Sequence, residues 1–241
     1  MVLELENLTK LYKNGRGVED ISFTLASGEV LGLLGPNGSG KTTTMKAITG
    51  LVQPTSGCVR VCGVDVTENH EHAMANTGCL IEAPALYEHM TAYRNLKLAS
   101  RFYDNVDDER INEVLKMMEM DKYRKDKVST FSLGMRQRIG LALAFISHPE
   151  LLILDEPANG LDIEGMVYVR EVVSKAAENG AAVLISSHLA HEIEQCATKA
   201  AIVYGGKLLS VESMETILAS SPSLEDYFLA QVAKTRAEVV A

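Results

Sequence analysis

Between a fully apolar run, Val30 to Leu34, and a helical stretch from Thr42 to Thr49 closed by Gly50, the chain places Gly35-Pro36-Asn37-Gly38-Ser39-Gly40-Lys41-Thr42. The spacing is GxxxxGK[ST], and it constrains the fold because its chemistry needs a buried strand before it and a helix after it. Gly35, Gly38 and Gly40 let backbone N–H groups approach an anion closely, and the helix adds the positive end of its dipole. The segment, Asn37 and Ser39 included, therefore reads as a cradle for nucleotide phosphates. Lys41 is expected to reach the β- and γ-phosphates, the Thr42 hydroxyl to ligate Mg²⁺, and Thr43 to donate to an α-phosphate oxygen.

A second apolar strand, Leu151 to Leu154, ends in two adjacent acids, Asp155 and Glu156. In α/β proteins ligands bind at the carboxyl ends of strands, so both carboxylates are delivered where the phosphates are expected. Asp155 is expected to hold Mg²⁺ through water. Glu156 is placed to polarise the water that attacks the γ-phosphate. Capping of the next turn would explain one carboxylate but not both.

Strand-like pieces at Leu3 to Leu5, Ile21 to Leu25 and Val30 to Leu34, with turn signals at Asn14-Gly15 and Ser27-Gly28, suggest an antiparallel element feeding a buried strand. From about Ala92 to Ser147 the pattern is helical. Asp107 and Asp108 open one helix with Ile111, Val114, Leu115 and Met118 on a buried stripe, and Met117 and Met120 are read as packing. After His148-Pro149, strands (Leu151 to Leu154, Ala182 to Ser186, Ala200 to Tyr204) alternate with helices near Gly165 to Glu178 and Ala190 to Cys196. That alternation implies a parallel sheet covered on both faces, interrupted by a helical insertion. Gly205-Gly206 reads as a hairpin turn, and Ser221-Pro222-Ser223 as the start of a short terminal helix whose last residues, from Lys234, fray.

With 23 basic against 32 acidic residues the net charge is −9, which disfavours nonspecific binding to nucleic acid or anionic lipid. No basic leader opens the chain and no run of about 18 apolar residues occurs, so the expectation is a protein neither secreted nor membrane-spanning. Cys58 to Cys62 reads as a strand with both thiols on one face, without enough nearby ligands for zinc, and His70 and His72 read as surface histidines.

Phe131-Ser132-Leu133-Gly134-Met135-Arg136-Gln137, lying between the two nucleotide motifs, resembles the signature of the ATP-binding cassette (ABC) family, and the resemblance spans about residues 3 to 212. Physically, Ser132 suits an N-cap, and Gly134 opens a helix carrying Ile139, Leu141, Leu143 and Ile146, whose N-terminus is a second anion site. The resemblance implies an α/β fold of P-loop NTPase type, in one nucleotide-binding domain spanning 1–241. Within it, 1–83 and 149–212 would form the ATPase core with an antiparallel β subdomain, 84–148 an inserted α-helical subdomain, and 213–241 a helical tail. It further implies ATP as substrate with Mg²⁺, and a dimer in which Ser132, Leu133, Gly134 and Met135 meet the partner's ATP. Asn159, Gly160, Leu161 and Asp162 resemble the loop that crosses the dimer interface, His188 the switch histidine at the γ-phosphate, and Tyr12 the aromatic that stacks on adenine.

Two departures stand out. Most cassettes carry glutamine in the loop joining core to helical insertion, where this chain has Glu82; a glutamate keeps an oxygen able to ligate Mg²⁺ or orient water, but adds charge and loses the amide donor. Leu133 and Met135 replace the usual glycine and glutamine of the signature. Leu80-Ile81-Glu82-Ala83-Pro84 with Leu86 to Thr91 is similar to cassettes of bacitracin- and lantibiotic-resistance exporters. The expectation is an ATPase subunit, cytoplasmic and peripheral on the inner face of the membrane, paired with a second cassette and separate permease chains, and not binding nucleic acid. The rival readings are a soluble cassette acting on ribosomes or DNA, a binding module without useful turnover, and a generic exporter subunit for a lipid or drug.

Overall fold

The computed structural model describes residues 1–240; Ala241, the end of the expected tail, lies outside them. The N-terminal half runs β1 (Leu3–Leu11), β2 (Gly17–Leu25), β3 (Val30–Leu34), α1 (Lys41–Ile48), β4 (Ser56–Val61), β5 (Val64–Asp65), α2 (His70–Met74) and β6 (Thr77–Leu80). A strand-free stretch follows with α3 (Ala92–Ala99), α4 (Asp108–Met117) and α5 (Leu133–Phe145). The chain then alternates: β7 (Leu151–Leu154), α6 (Ile163–Glu178), β8 (Ala182–Ser187), α7 (Ala190–Glu194), β9 (Lys199–Tyr204), β10 (Lys207–Ser213), α8 (Met214–Ser220) and α9 (Leu224–Val240).

All ten strands join one sheet in the order β5-β4-β1-β2-β10-β9-β3-β8-β7-β6. The first four are antiparallel, and β2 meets β10 through a single parallel pair, Glu19 with Lys207. From β9 to β6 every neighbour is parallel, in a register that aligns Leu80, Leu154, Ile185 and Gly32 across the block. Alternation along these strands divides the core in two. Leu31, Leu33, Leu151, Ile153 and Leu184 face α1 and the antiparallel strands, whereas Val30, Leu34, Leu152, Leu154 and Ile185 face the helices α5, α6 and α7. The parallel strands are thus apolar throughout because each buries both faces.

The strand-free stretch packs through Ile111, Val114, Leu115 and Met118 of α4 and its flank, all fully buried, as their spacing requires. Met120 is buried with them, but Met117 turns outward and is 44% exposed, so only one of the two methionines is packing. The insertion is seated on β6 by a close approach: a Cβ on Gly78 would stand 1.9 Å from the carbonyl oxygen of Ala144 in α5. Gly78→Ala is therefore expected to lower stability by about 3 kcal/mol, at the upper end of typical overpacking costs, as read from a urea melt. An unchanged midpoint would refute this close contact.

One turn matches its reading and one strand does not. Gly205-Gly206 closes the β9–β10 hairpin, with φ of 58° and 81°. Cys62 leaves the strand at Val61 and makes, with Gly63, a second turn of this kind (φ 50° and 79°), so the Cys58 and Cys62 thiols do not share one strand face; Cys58 donates to Asp65 and Cys62 approaches Glu150. The terminal helix is also long rather than short, 17 residues, anchored by fully buried Leu224, whose N–H donates to Glu194. Among the described residues, no helix is long and apolar enough to cross a membrane.

Candidate active site

The register of the parallel block puts four chain segments at one edge. β3 ends at Leu34 and opens the glycine loop, β7 ends at Leu154 before Asp155, β6 ends at Leu80 two residues before Glu82, and β8 ends at Ser187 before His188. Residues more than 150 positions apart therefore meet because adjacent parallel strands share their carboxyl ends.

The loop is shaped by its glycines. A Cβ on Gly35 would stand 2.1 Å from the Val203 carbonyl oxygen, and Gly40, at φ 114°, closes on Val18. Asn37 and Gly38 are exposed at its tip, while Ser39 is buried. Helix α1 begins at Lys41, one residue earlier than its pattern suggests, so Lys41, Thr42 and Thr43 supply its first turn.

Lys41 is 5% exposed and donates to the carbonyl of Gly35 at 2.6 Å, and its Nζ lies 3.3 Å from Oε1 of Glu156. Glu156 in turn has Oε2 2.8 Å from Nδ1 of His188. Its backbone sits at φ 48°, an unusual conformation for a residue with a side chain, costing of order 1 kcal/mol or more. The carboxylate is thus clamped between a buried cation and an imidazole, and Oε1, though ion-paired, has no hydrogen-bond donor aligned on it. Ser39 Oγ is also buried without a partner. Two such orphaned oxygens beside one glycine loop fit a ligand that brings its own donors and waters.

Asp155, 3% exposed, accepts from Thr42 Oγ1 at 2.8 Å on Oδ2 and from Ser186 Oγ at 2.6 Å on Oδ1. Ser186 accepts from the N–H of Glu156 at 2.9 Å, tying both acids to the end of β8. A hydroxyl and a carboxylate side by side are the hard oxygen donors that suit Mg²⁺, which keeps several waters and takes phosphate oxygens. Glu82, expected as a further donor, is paired instead with Lys46 of α1 at 2.7 Å.

Tyr12 is 39% exposed in the turn after β1. Ser132 caps α5 by accepting from the Met135 N–H at 3.3 Å, and Leu133 projects outward, 56% exposed. This helix N-terminus opens to the surface, with Ser132 and Leu133 both exposed. Gly134 and Leu133 touch the loop of Asn159, Gly160, Leu161 and Asp162, where Gly160 has φ 73° and Asp162 caps α6 through the Gly165 N–H.

Two contributors escaped the motifs, and a third lay in the signature segment without an assigned role. Ser186 carries no signal beyond lying two residues before His188. Lys46 follows Thr42 by one helical turn, so its face could be inferred but not its partner. Gln137, buried, donates from its side-chain amide to the Pro157 carbonyl at 2.9 Å and links α5 to the residue after Glu156.

A family model described as "ABC transporter" matches residues 18–159. Among curated proteins, the chain is similar to the uncharacterized ABC transporter ATP-binding protein YhcH of Bacillus subtilis, 42% identical over 89% of this chain and 70% of that protein. It is similar to the bacitracin transport ATP-binding protein BcrA of Enterococcus faecalis at 41%, over 86% of this chain and 68% of that one. The lantibiotic transport ATP-binding protein SrtF of Streptococcus pyogenes matches at 36% over 96% and 97%. A solved structure described as an ATP binding subunit of an ABC transporter superposes with a TM-score of 0.88 at 27% identity, over 96% of this chain and 100% of the other.

Proposed function

This chain belongs to the ABC transporter family and is its ATP-binding, ATP-hydrolysing kind of subunit, and from that membership we propose that it powers export of a peptide antibiotic, such as bacitracin or a lantibiotic, through separate permease chains. The observation that carries the reading is the convergence of Lys41, Asp155, Glu156 and His188 at one sheet edge. Similarity to the bacitracin and lantibiotic transport proteins supports the cargo class.

In this reading Gly35 to Thr43 hold the phosphates, with Asn37 at the loop's exposed tip, Ser39 buried within it and Tyr12 against the adenine. Thr42 and Asp155 would hold Mg²⁺, which when bound neutralises phosphate charge. Glu156 accepts a proton from the attacking water, and His188 orients the Glu156 carboxylate and reaches the γ-phosphate. Lys41 leaves the Gly35 carbonyl for the phosphates, freeing Glu156 from its buried cation. Ser132, Leu133, Gly134 and Met135 serve the ATP of a second cassette, and Asn159 to Asp162 line the seam between them. The loop from Glu82 into the helical insertion conveys the movement to the permease on the inner face of the membrane, with Ala83, Pro84, Ala85, Leu86 and Tyr87 as docking surface.

The test is susceptibility. Removing the chain from its host is expected to raise sensitivity to bacitracin or a lantibiotic at least fourfold, restored by the wild type and not by Glu156→Gln. Unchanged sensitivity to these peptides, with ATP hydrolysis intact, would point to the generic exporter of a lipid or drug.

A further inference from the structure

Glu82 occupies a left-handed backbone conformation, φ 59°, two residues after the end of β6. Its carboxylate meets Lys46 Nζ at 2.7 Å. Lys46 lies four residues after Thr42, hence on the same face of α1. The hydrogen bond that Lys46 donates to Glu82 is the largest cause holding the Lys46 amine above its ordinary pKa. On the far side of the loop, Pro84 lies against α5 so closely that a Cβ on Gly140 would stand 2.7 Å from its ring. The loop is therefore tied to the phosphate-binding helix by charge and to the signature helix by packing.

We propose that Lys46 is the positioning residue that allows a carboxylate to stand where most cassettes carry glutamine. A carboxylate beside a triphosphate repels it, whereas an amide does not. Lys46 makes the pair neutral, and with three N–H donors of which Glu82 takes one, it restores the donor capacity the glutamine amide would have supplied. It also fixes the Glu82 carboxylate over the α1 face that carries Thr42. Stability is not the role: Glu82 is 64% exposed, and ion pairs of this kind add about 0–1 kcal/mol.

The inference rests on the ATP reading of the site. Its test is a double-mutant cycle for MgATP binding, in the Glu156→Gln background, by equilibrium dialysis with labelled ATP. Lys46→Gln alone is expected to weaken binding roughly tenfold, because Glu82 is left uncompensated. The same change made together with Glu82→Gln is expected to stay within twofold of Glu82→Gln alone, and Lys46→Arg to retain affinity. Equal weakening with and without Glu82→Gln would mean that Lys46 acts on the phosphates directly, and no weakening would mean an idle surface pair; either overturns the proposal. Melting temperatures, unchanged across the set, separate these results from unfolding. A wild-type chain that bound no ATP would instead contradict the ATP reading itself.

Discussion

Glu156→Gln is expected to cut ATP turnover by at least a hundredfold while leaving ATP affinity near that of the wild type. The reason lies in what the carboxylate touches. Lys41 stands 3.3 Å from one oxygen and His188 2.8 Å from the other, and the residue hangs from an unusual left-handed turn that aims it across the sheet edge. A glutamine keeps the size of this side chain and one acceptor, so the clamp and the fold survive. What it removes is the basic oxygen. General-base contributions of about 10² to 10⁴ are typical, and this is the loss expected here. Removing a partly buried negative charge beside the phosphates also relieves repulsion, so binding is not weakened. Phosphate release and nucleotide binding measured on the same preparation check the split. A variant with wild-type turnover would remove Glu156 from its role.

The second large effect is expected of Lys41→Met, which keeps the aliphatic stem and deletes the cation. Lys41 is 5% exposed and directs its ammonium at the Gly35 and Pro36 carbonyls, the floor of the phosphate loop. Lys41 is the only lysine in the loop sequence Gly35 to Thr42, and its ammonium is the group expected to meet the phosphates. Preorganised cations of this kind are worth a factor of about 10² to 10³ in rate, so turnover should fall by that factor. Here, unlike Glu156→Gln, ATP affinity should fall as well, by about tenfold or more, since a ground-state contact is lost. The Glu156 carboxylate would keep His188 but lose its buried counter-charge, so a modest drop in melting temperature accompanies the change. Retained affinity with lost turnover would contradict the phosphate contact.

The core of the fold was legible because its signals are local. The apolar runs Val30 to Leu34 and Leu151 to Leu154 can only be strands buried on both faces, and glycines flank the turns that positive φ requires. Helical spacing identified the buried stripe of α4, and taken strictly it also excluded Met117, which lies off that stripe. The Cys58 to Cys62 error has a similar origin: alternation favoured a longer strand, while Gly63 already marked the two-residue turn that places Cys62 outside it. What stayed hidden is whatever depends on strand register. Ser186 acquires its place between Asp155 and the Glu156 N–H only when β7 and β8 lie side by side. Lys46 and Glu82 are 36 positions apart, and no periodicity joins a helix face to a loop beyond another strand. The departure at position 82 was visible; its compensation was not.

The central claim, an ATPase that turns over at this sheet edge to drive separate membrane chains, is tested most directly by capture. The Glu156→Gln chain, held with ATP in native membranes, is pulled down and the co-purifying chains are identified by mass spectrometry. Recovery of a multi-spanning permease in amounts comparable to the bait is the result expected. Recovery of ribosomal proteins or nucleic acid, with no membrane protein, would contradict it.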